Sequence, residues 1–140
     1  MKKILIDTNV IIDFLLEETN YENAQNVIEE ISNGNVRGYI TASMATDIFY
    51  LLQKKIGKNF ALNALTNLLK IIDILTVCRD DVYAALNSGW NDFEDALQAQ
   101  VAVSNGMDAI ITRNIKDYKM AKNINIILPN DFNNYYKQYK

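Results

Sequence analysis

The chain has 140 residues, 49% of them apolar, a net charge of −3, one cysteine and no histidine. That length suits one domain able to bury roughly 68% of its unfolded surface, and no apolar run approaches the ~20 residues of a membrane-spanning helix. The missing histidine and the lone cysteine exclude a Ser-His-Asp triad, a Cys-His pair, a histidine-ligated zinc site and an internal disulfide. The N-terminal apolar run Ile4-Leu5-Ile6 is too short for a signal peptide, so the expectation is a cytoplasmic protein without membrane attachment.

Short apolar strands alternate with helices. A strand over Ile4–Ile6 leads into a helix of about Asn9–Glu17. A second helix, about Tyr21–Ser32, is opened by Thr19 with Glu22 three residues on, a capping-box pattern. Val36–Ile40 reads as a strand, followed by a helix of about Met44–Ile56 capped by Ser43, and by another of about Phe60–Ile72 with apolar residues at helical spacing. Ile74–Cys78 reads as a strand, with Cys78 as a small core residue. Helices of about Asp80–Asn87 and Asp92–Asn105 come next, then strands Ala109–Thr112 and Ile124–Leu128 and a last helix of about Asp131–Tyr139. The spacing of Phe132, Tyr135, Tyr136 and Tyr139 in that helix is that of a core-facing side. Gly34, Gly57, Gly89 and Gly106 each follow a helix-like segment, where a helix end favours glycine. This alternation predicts a three-layer α/β/α fold with a central, mostly parallel sheet, in one domain over 1–140. Function in such sheets sits beyond the carboxyl ends of the strands.

Four carboxylates stand where a fold would place apolar or capping residues. Asp7 ends the first strand. Asp47 shares a helix side with Met44, Ile48 and Leu51; its bland explanation is a buried pair with Lys54 or Lys55. Asp92 and Asp95 lie three apart in the first turn of a helix, where acids also complement the helix dipole. Glu94 reads as a solvated acid, Asp108 and Asp117 as loop acids, and Asp13 as solvated or capping. Burying an ionised carboxylate costs several kcal/mol unless it is paired. Hard oxygen donors gathered in one place suit Mg²⁺ or Mn²⁺, ions that support hydrolysis or transfer at phosphorus. The low pI, about 4.9, argues against a nucleic-acid partner, yet acids crowd the first fifty residues and two divalent ions would neutralise four clustered acids. No glycine-rich phosphate loop is present, which disfavours a nucleotide cofactor.

Four segments together resemble the PIN-domain family of metal-dependent ribonucleases, which includes VapC-type toxins of bacterial toxin–antitoxin pairs. They are Ile4–Phe14 (ILIDTNVIIDF), Thr41–Tyr50 (TASMATDIFY), Asp92–Leu97 (DFEDAL) and Asp108–Asn114 (DAIITRN), in family order along nearly the whole chain. The resemblance implies that Asp7, Asp47 and Asp95 are the three principal acids, with Asp92 close by. It implies one or two Mg²⁺ or Mn²⁺ ions, an RNA substrate cleaved to a 5′-phosphate and a 3′-hydroxyl, and supporting roles for Thr8, Asn9 and Thr112. Two positions depart from the family pattern: Asp47 stands where glutamate is usual, and Asn114 where a fourth acid is frequent. An antitoxin or a second copy of the chain would be the protein partner. Alternatives are a catalytically inactive PIN-like protein-binding scaffold and a Mg²⁺-dependent phosphatase of the haloacid-dehalogenase type. The latter wants an Asp two residues after Asp7, where this chain has Asn9.

Overall fold

Two strands at the centre of the sheet have no polar face. β1 (Lys3–Ile6) and β4 (Ala109–Ile111) bury Ile4, Leu5, Ile6, Ala109, Ile110 and Ile111 completely. A strand covered on both sides needs no alternation, so such segments read as continuous apolar runs. The two pair in parallel, Ile4 opposite Ala109 and Ile6 opposite Ile111. β2 (Arg37–Thr41) and β3 (Asp73–Leu75) extend the sheet on one side and β5 (Asn125–Ile127) on the other, giving the order β3-β2-β1-β4-β5 with every pair parallel. This computed structural model describes residues 1–138.

The crossovers from β1 to β2 to β3 carry α1 (Thr8–Leu15), α2 (Tyr21–Ser32), α3 (Ala42–Ile56) and α4 (Lys58–Leu68). The return from β3 to β4 carries α5 (Arg79–Leu86) and α6 (Phe93–Ser104). Right-handed crossovers running in opposite directions along a sheet put their helices on opposite faces, which produces the three layers. After β5, α7 (Phe132–Gln138) packs against α2, with Phe132, Tyr135 and Tyr136 buried. Tyr139 lies outside the described residues. Among these residues no helix is long and apolar enough to cross a membrane.

Several local expectations are corrected. Thr19 does not open α2; Asn20 occupies the cap and makes no side-chain capping bond. Thr41, not Ser43, caps α3: its hydroxyl accepts from Met44 N–H at 3.2 Å, while Met44 Sδ accepts from Thr41 N–H at 3.5 Å. The helix therefore starts two residues early, because a buried threonine at the strand end satisfies the first turn better than an outward serine. Cys78 is exposed and precedes α5, not part of the core. The strand containing Ile74 is shorter than expected and ends at Leu75. Asp47 is exposed, because α3 turns Met44, Ile48 and Leu52 inward and leaves Asp47 and Leu51 outside. No ion pair joins Asp47 to Lys54 or Lys55 among the described residues; Lys54 lies over the Tyr50 ring instead.

Neighbouring strands diverge at one place. β1 hands the chain outward toward β2 while β4 hands it the other way toward β5, so a crevice opens beyond their carboxyl ends. The helix bordering it from the β2 side is held by a buried bond: Thr41 Oγ1 donates to Gln98 Oε1 of α6 at 2.8 Å, and Gln98 is 3% exposed. Thr41→Ala removes a helix cap and strands that amide oxygen. It should lower the unfolding free energy by about 2–4 kcal/mol in urea melts, and Thr41→Ser by less than about 1 kcal/mol. A loss below about 0.5 kcal/mol for Thr41→Ala would show that the joint carries no weight.

Candidate functional site

Asp7 sits in the crevice at the divergence point. Its N–H continues the β1–β4 ladder to Ile111 O at 2.9 Å, and its side chain caps α1 by accepting from Thr8 N–H at 2.8 Å. The other carboxylate oxygen, Oδ2, accepts from three side chains: Thr112 Oγ1 at 2.8 Å, Tyr118 Oη at 3.2 Å and Asn9 Nδ2 at 3.3 Å. Thr112 is fully buried and directly follows β4; Tyr118 is 1% exposed and ends a 3-10 helix, Ile115–Tyr118. Asn9 also accepts from Arg113 N–H at 3.2 Å, and Thr112 Oγ1 accepts from Asn114 N–H at 3.1 Å. Among the described residues no cation is ion-paired with Asp7. Burial raises its pKa, and the bonds from Thr112, Thr8 and Tyr118 oppose that rise without cancelling it.

The first turn of α6 faces Asp7. Asp92 caps that helix by accepting from Asp95 N–H at 2.9 Å. The Asp95 carboxyl is pushed up to about 7, first by burial, then by the charges of Asp92, Asp7 and Asp117; a bond from Tyr118 works against the shift. One tyrosine hydroxyl thus stands between Asp7 and Asp95. Glu94 is also pushed up to about 7, first by a hydrogen bond with Asp47, then by burial and by the charges of Asp47, Asp92 and Asp95. In that carboxyl pair the protonated Glu94 is the donor. Asp7, Asp92, Glu94, Asp95 and Asp117 line one open cleft of about 420 Å³, together with Thr8, Asn9 and Asn114.

The profile of the PIN domain matches residues 3–116 of the chain. The chain belongs to the PIN-domain family. Its fold resembles that of VapBC2 from Rickettsia felis, solved bound to a promoter DNA fragment (TM-score 0.71, 16% identity, covering 90% of this chain and 98% of that one). It also resembles VapBC-1 from nontypeable Haemophilus influenzae (TM-score 0.70, 15% identity, 91% and 98% covered). A third is VapC20 of Mycobacterium tuberculosis, a toxin that cleaves the sarcin-ricin loop (TM-score 0.61, 15% identity, 76% and 86% covered). No curated protein matches the chain by sequence.

Within this PIN domain the sequence-derived acids are not equally placed. Asp7, Asp92 and Asp95 share the cleft; Asp47 lies outside its lining and reaches the group through Glu94. Thr8, Asn9 and Thr112 all bond Asp7 or one another, and Asn114 lines the cleft while its N–H supports Thr112. The sequence reads Glu94 as a solvated acid and Asp117 as a loop acid, whereas both line the cleft, and it does not single out Tyr118. The one signal available was Asp117-Tyr118 a few residues beyond Thr112, readable only once the intervening turn is known to fold back. Asp13 is buried at 3% exposure and ion-paired with Arg113 Nε at 2.7 Å, a contact without the alignment of a hydrogen bond. Burial raises its pKa against the lowering effect of Arg113. The donors are hard oxygens, as Mg²⁺ or Mn²⁺ prefers. Among the described residues no three of the acids converge closely enough to hold an ion as they stand.

The like charges have a measurable consequence. Asp95 and Glu94 have ordinary values of 3.8 and 4.5 and folded values of about 7. Between those limits the folded state holds more protons than the unfolded one, so these groups weaken the fold as pH rises. In EDTA, Asp95→Asn should melt above the wild type at pH 8, and the gap should close toward pH 5. A gap that is constant or widens at low pH contradicts the clustering.

Proposed function

We propose that this PIN domain is a divalent-metal-dependent endoribonuclease. The observation that carries the reading is a group of carboxylates at the divergence point of a parallel sheet, with Asp7 held by hydroxyls and an amide and none of these acids in an ion pair among the described residues. Asp7, Asp95, Asp92 and Asp117 would hold Mg²⁺ or Mn²⁺ after small side-chain rotations; Asp95 is half-buried, and Asp92 and Asp117 are exposed. A bound ion of this kind acidifies water and neutralises charge on a phosphoryl oxygen.

The chain's own residues do the rest. Thr112, Asn9, Tyr118 and Thr8 N–H fix the Asp7 carboxylate, so that it is oriented before any ion arrives. Glu94, bonded to Asp47 and pushed up to about 7, would carry a proton at the rim of the cleft over part of the neutral pH range. Arg113, in the lining, offers the only cationic side chain to the RNA backbone. With no histidine in the chain, these carboxyl groups are the available proton carriers.

Two of the similar structures are VapBC assemblies, and a toxin–antitoxin complex from Klebsiella pneumoniae is also similar (TM-score 0.67, 20% identity, covering 90% of this chain and 97% of that one). They support a reading of this chain as the toxin of such a pair, with an antitoxin as partner. The α3–α4 pair leaves Tyr50, Leu51, Phe60 and Leu62 exposed, an apolar surface consistent with a protein partner.

The test is cleavage of RNA by protein freed of contaminating nuclease. Activity should be lost in EDTA and restored by Mg²⁺ or Mn²⁺. Asp7→Asn should abolish it with the fold intact, and Thr112→Val should reduce it by about 10–100-fold. Cleavage that survives full chelation, or an active Asp7→Asn, refutes the reading in favour of another activity or of a PIN-like scaffold.

A further inference from the structure

A second cavity, of about 270 Å³, opens beside the acid cleft and shares Arg113 and Asn114 with it. Its character is different. No acid lines it; Leu128 and the buried Pro129 form an apolar wall, and Asn20, Asn23, Asn114 and Asn130 complete the lining. Arg113 is its one cation, and that side chain is fixed on its inner side by the 2.7 Å pair with buried Asp13. Asn20 bonds Asp13 as well, so the wall under the guanidinium is itself braced. The Arg113 side chain remains 41% exposed, with no other ion pair among the described residues.

That lining discriminates between ligand chemistries. A phosphate or carboxylate would want several cations, and the cavity has one, already paired. An aliphatic group would want a dry wall, and here four of the seven lining residues are asparagines. A nucleobase wants an apolar surface against its flat face and groups that both donate and accept along its edge, which asparagine provides in one side chain. A single cation beside such a pocket suits the phosphate joining that base to the next nucleotide.

Resting on the nuclease reading above, we propose that this cavity is a base-reading subsite for an unpaired nucleotide of single-stranded RNA flanking the scissile phosphate. Leu128 and Pro129 contact the face of the base, Asn23 and Asn130 its edge, and Arg113 the connecting phosphate. Asn114 occupies the threshold between cleft and pocket. An aspartate there would carry the acids' negative charge to the pocket mouth; the neutral amide lets a polyanionic strand cross.

The test separates binding from cleavage. In an Asp95→Asn background with Mg²⁺, a short unstructured labelled RNA is titrated by fluorescence anisotropy, alongside versions with one nucleotide at a time made abasic. One abasic position should weaken binding about tenfold. Adding Asn23→Ala and Asn130→Ala should weaken binding of the intact RNA about tenfold and erase the penalty at that position. Asn130→Ala alone, at an exposed site, serves if the double variant melts early. No RNA binding, equal binding of every abasic RNA, or a penalty that persists in the variants overturns the subsite, and leaves the pocket to another ligand such as a peptide. Absence of metal-dependent cleavage by the wild type would instead sink the nuclease reading, with the binding cycle still deciding the pocket.

Discussion

The hydrogen bond from Thr112 Oγ1 to Asp7 Oδ2 links the ends of the two central strands, at the point where their continuations turn apart. The neighbouring ladder bond from Asp7 N–H to Ile111 O keeps the backbones together there. Without such donors a carboxylate directly after a fully buried strand would be a net cost to the fold. With them, an acid is held at a defined place, and the apolar runs that build the sheet deliver the chemistry to its end.

The same bond explains why the site is electrostatically incomplete. Among the described residues, every hydrogen-bond donor to the Asp7 carboxylate is neutral: two hydroxyls, one side-chain amide and one backbone N–H. Neutral donors orient a carboxylate without cancelling its charge, so burial, and after it the repulsion from Asp92, Asp7 and Asp117, pushes Asp95 up to about 7. Arg113, the one cation in the cleft lining, is paired with Asp13 at 2.7 Å. Tyr118 makes the compromise local, since one buried hydroxyl serves both Asp7 and Asp95 and packs edge-on to Trp90.

Much of the fold was legible because its signals are local. The central strands are uninterrupted apolar runs, α2 has the expected bounds, and the buried aromatic side of α7 follows helical spacing. Caps were legible by residue type but not by position: Thr41 and Ser43 are both good caps, and burial at the end of β2 decides for Thr41. Asp7, Asp92 and Asp95 could be singled out because each marks an element boundary. Asp47 was expected on a buried side; yet Met44, Ile48 and Leu52 form the inner stripe of α3, and periodicity alone leaves the edge of such a stripe undefined. Glu94 and Tyr118 owe their importance to contacts with Asp47 and Asp7, far away in sequence, and no spacing rule reports those.

The central claim is that these acids form one uncompensated group that takes a hard divalent cation. Binding must then release protons from Asp95, held up by burial and neighbouring charge, and from Glu94, held up by its bond with Asp47 and by burial, both with folded values of about 7. Titrating the metal-free protein with Mn²⁺ at pH 6.5, by calorimetry in buffers of different ionisation enthalpy, measures affinity and proton release together. The account predicts saturable binding with net proton release that shrinks by pH 8.5 and in Asp95→Asn. Absence of binding, or binding with no proton release at pH 6.5, would contradict it.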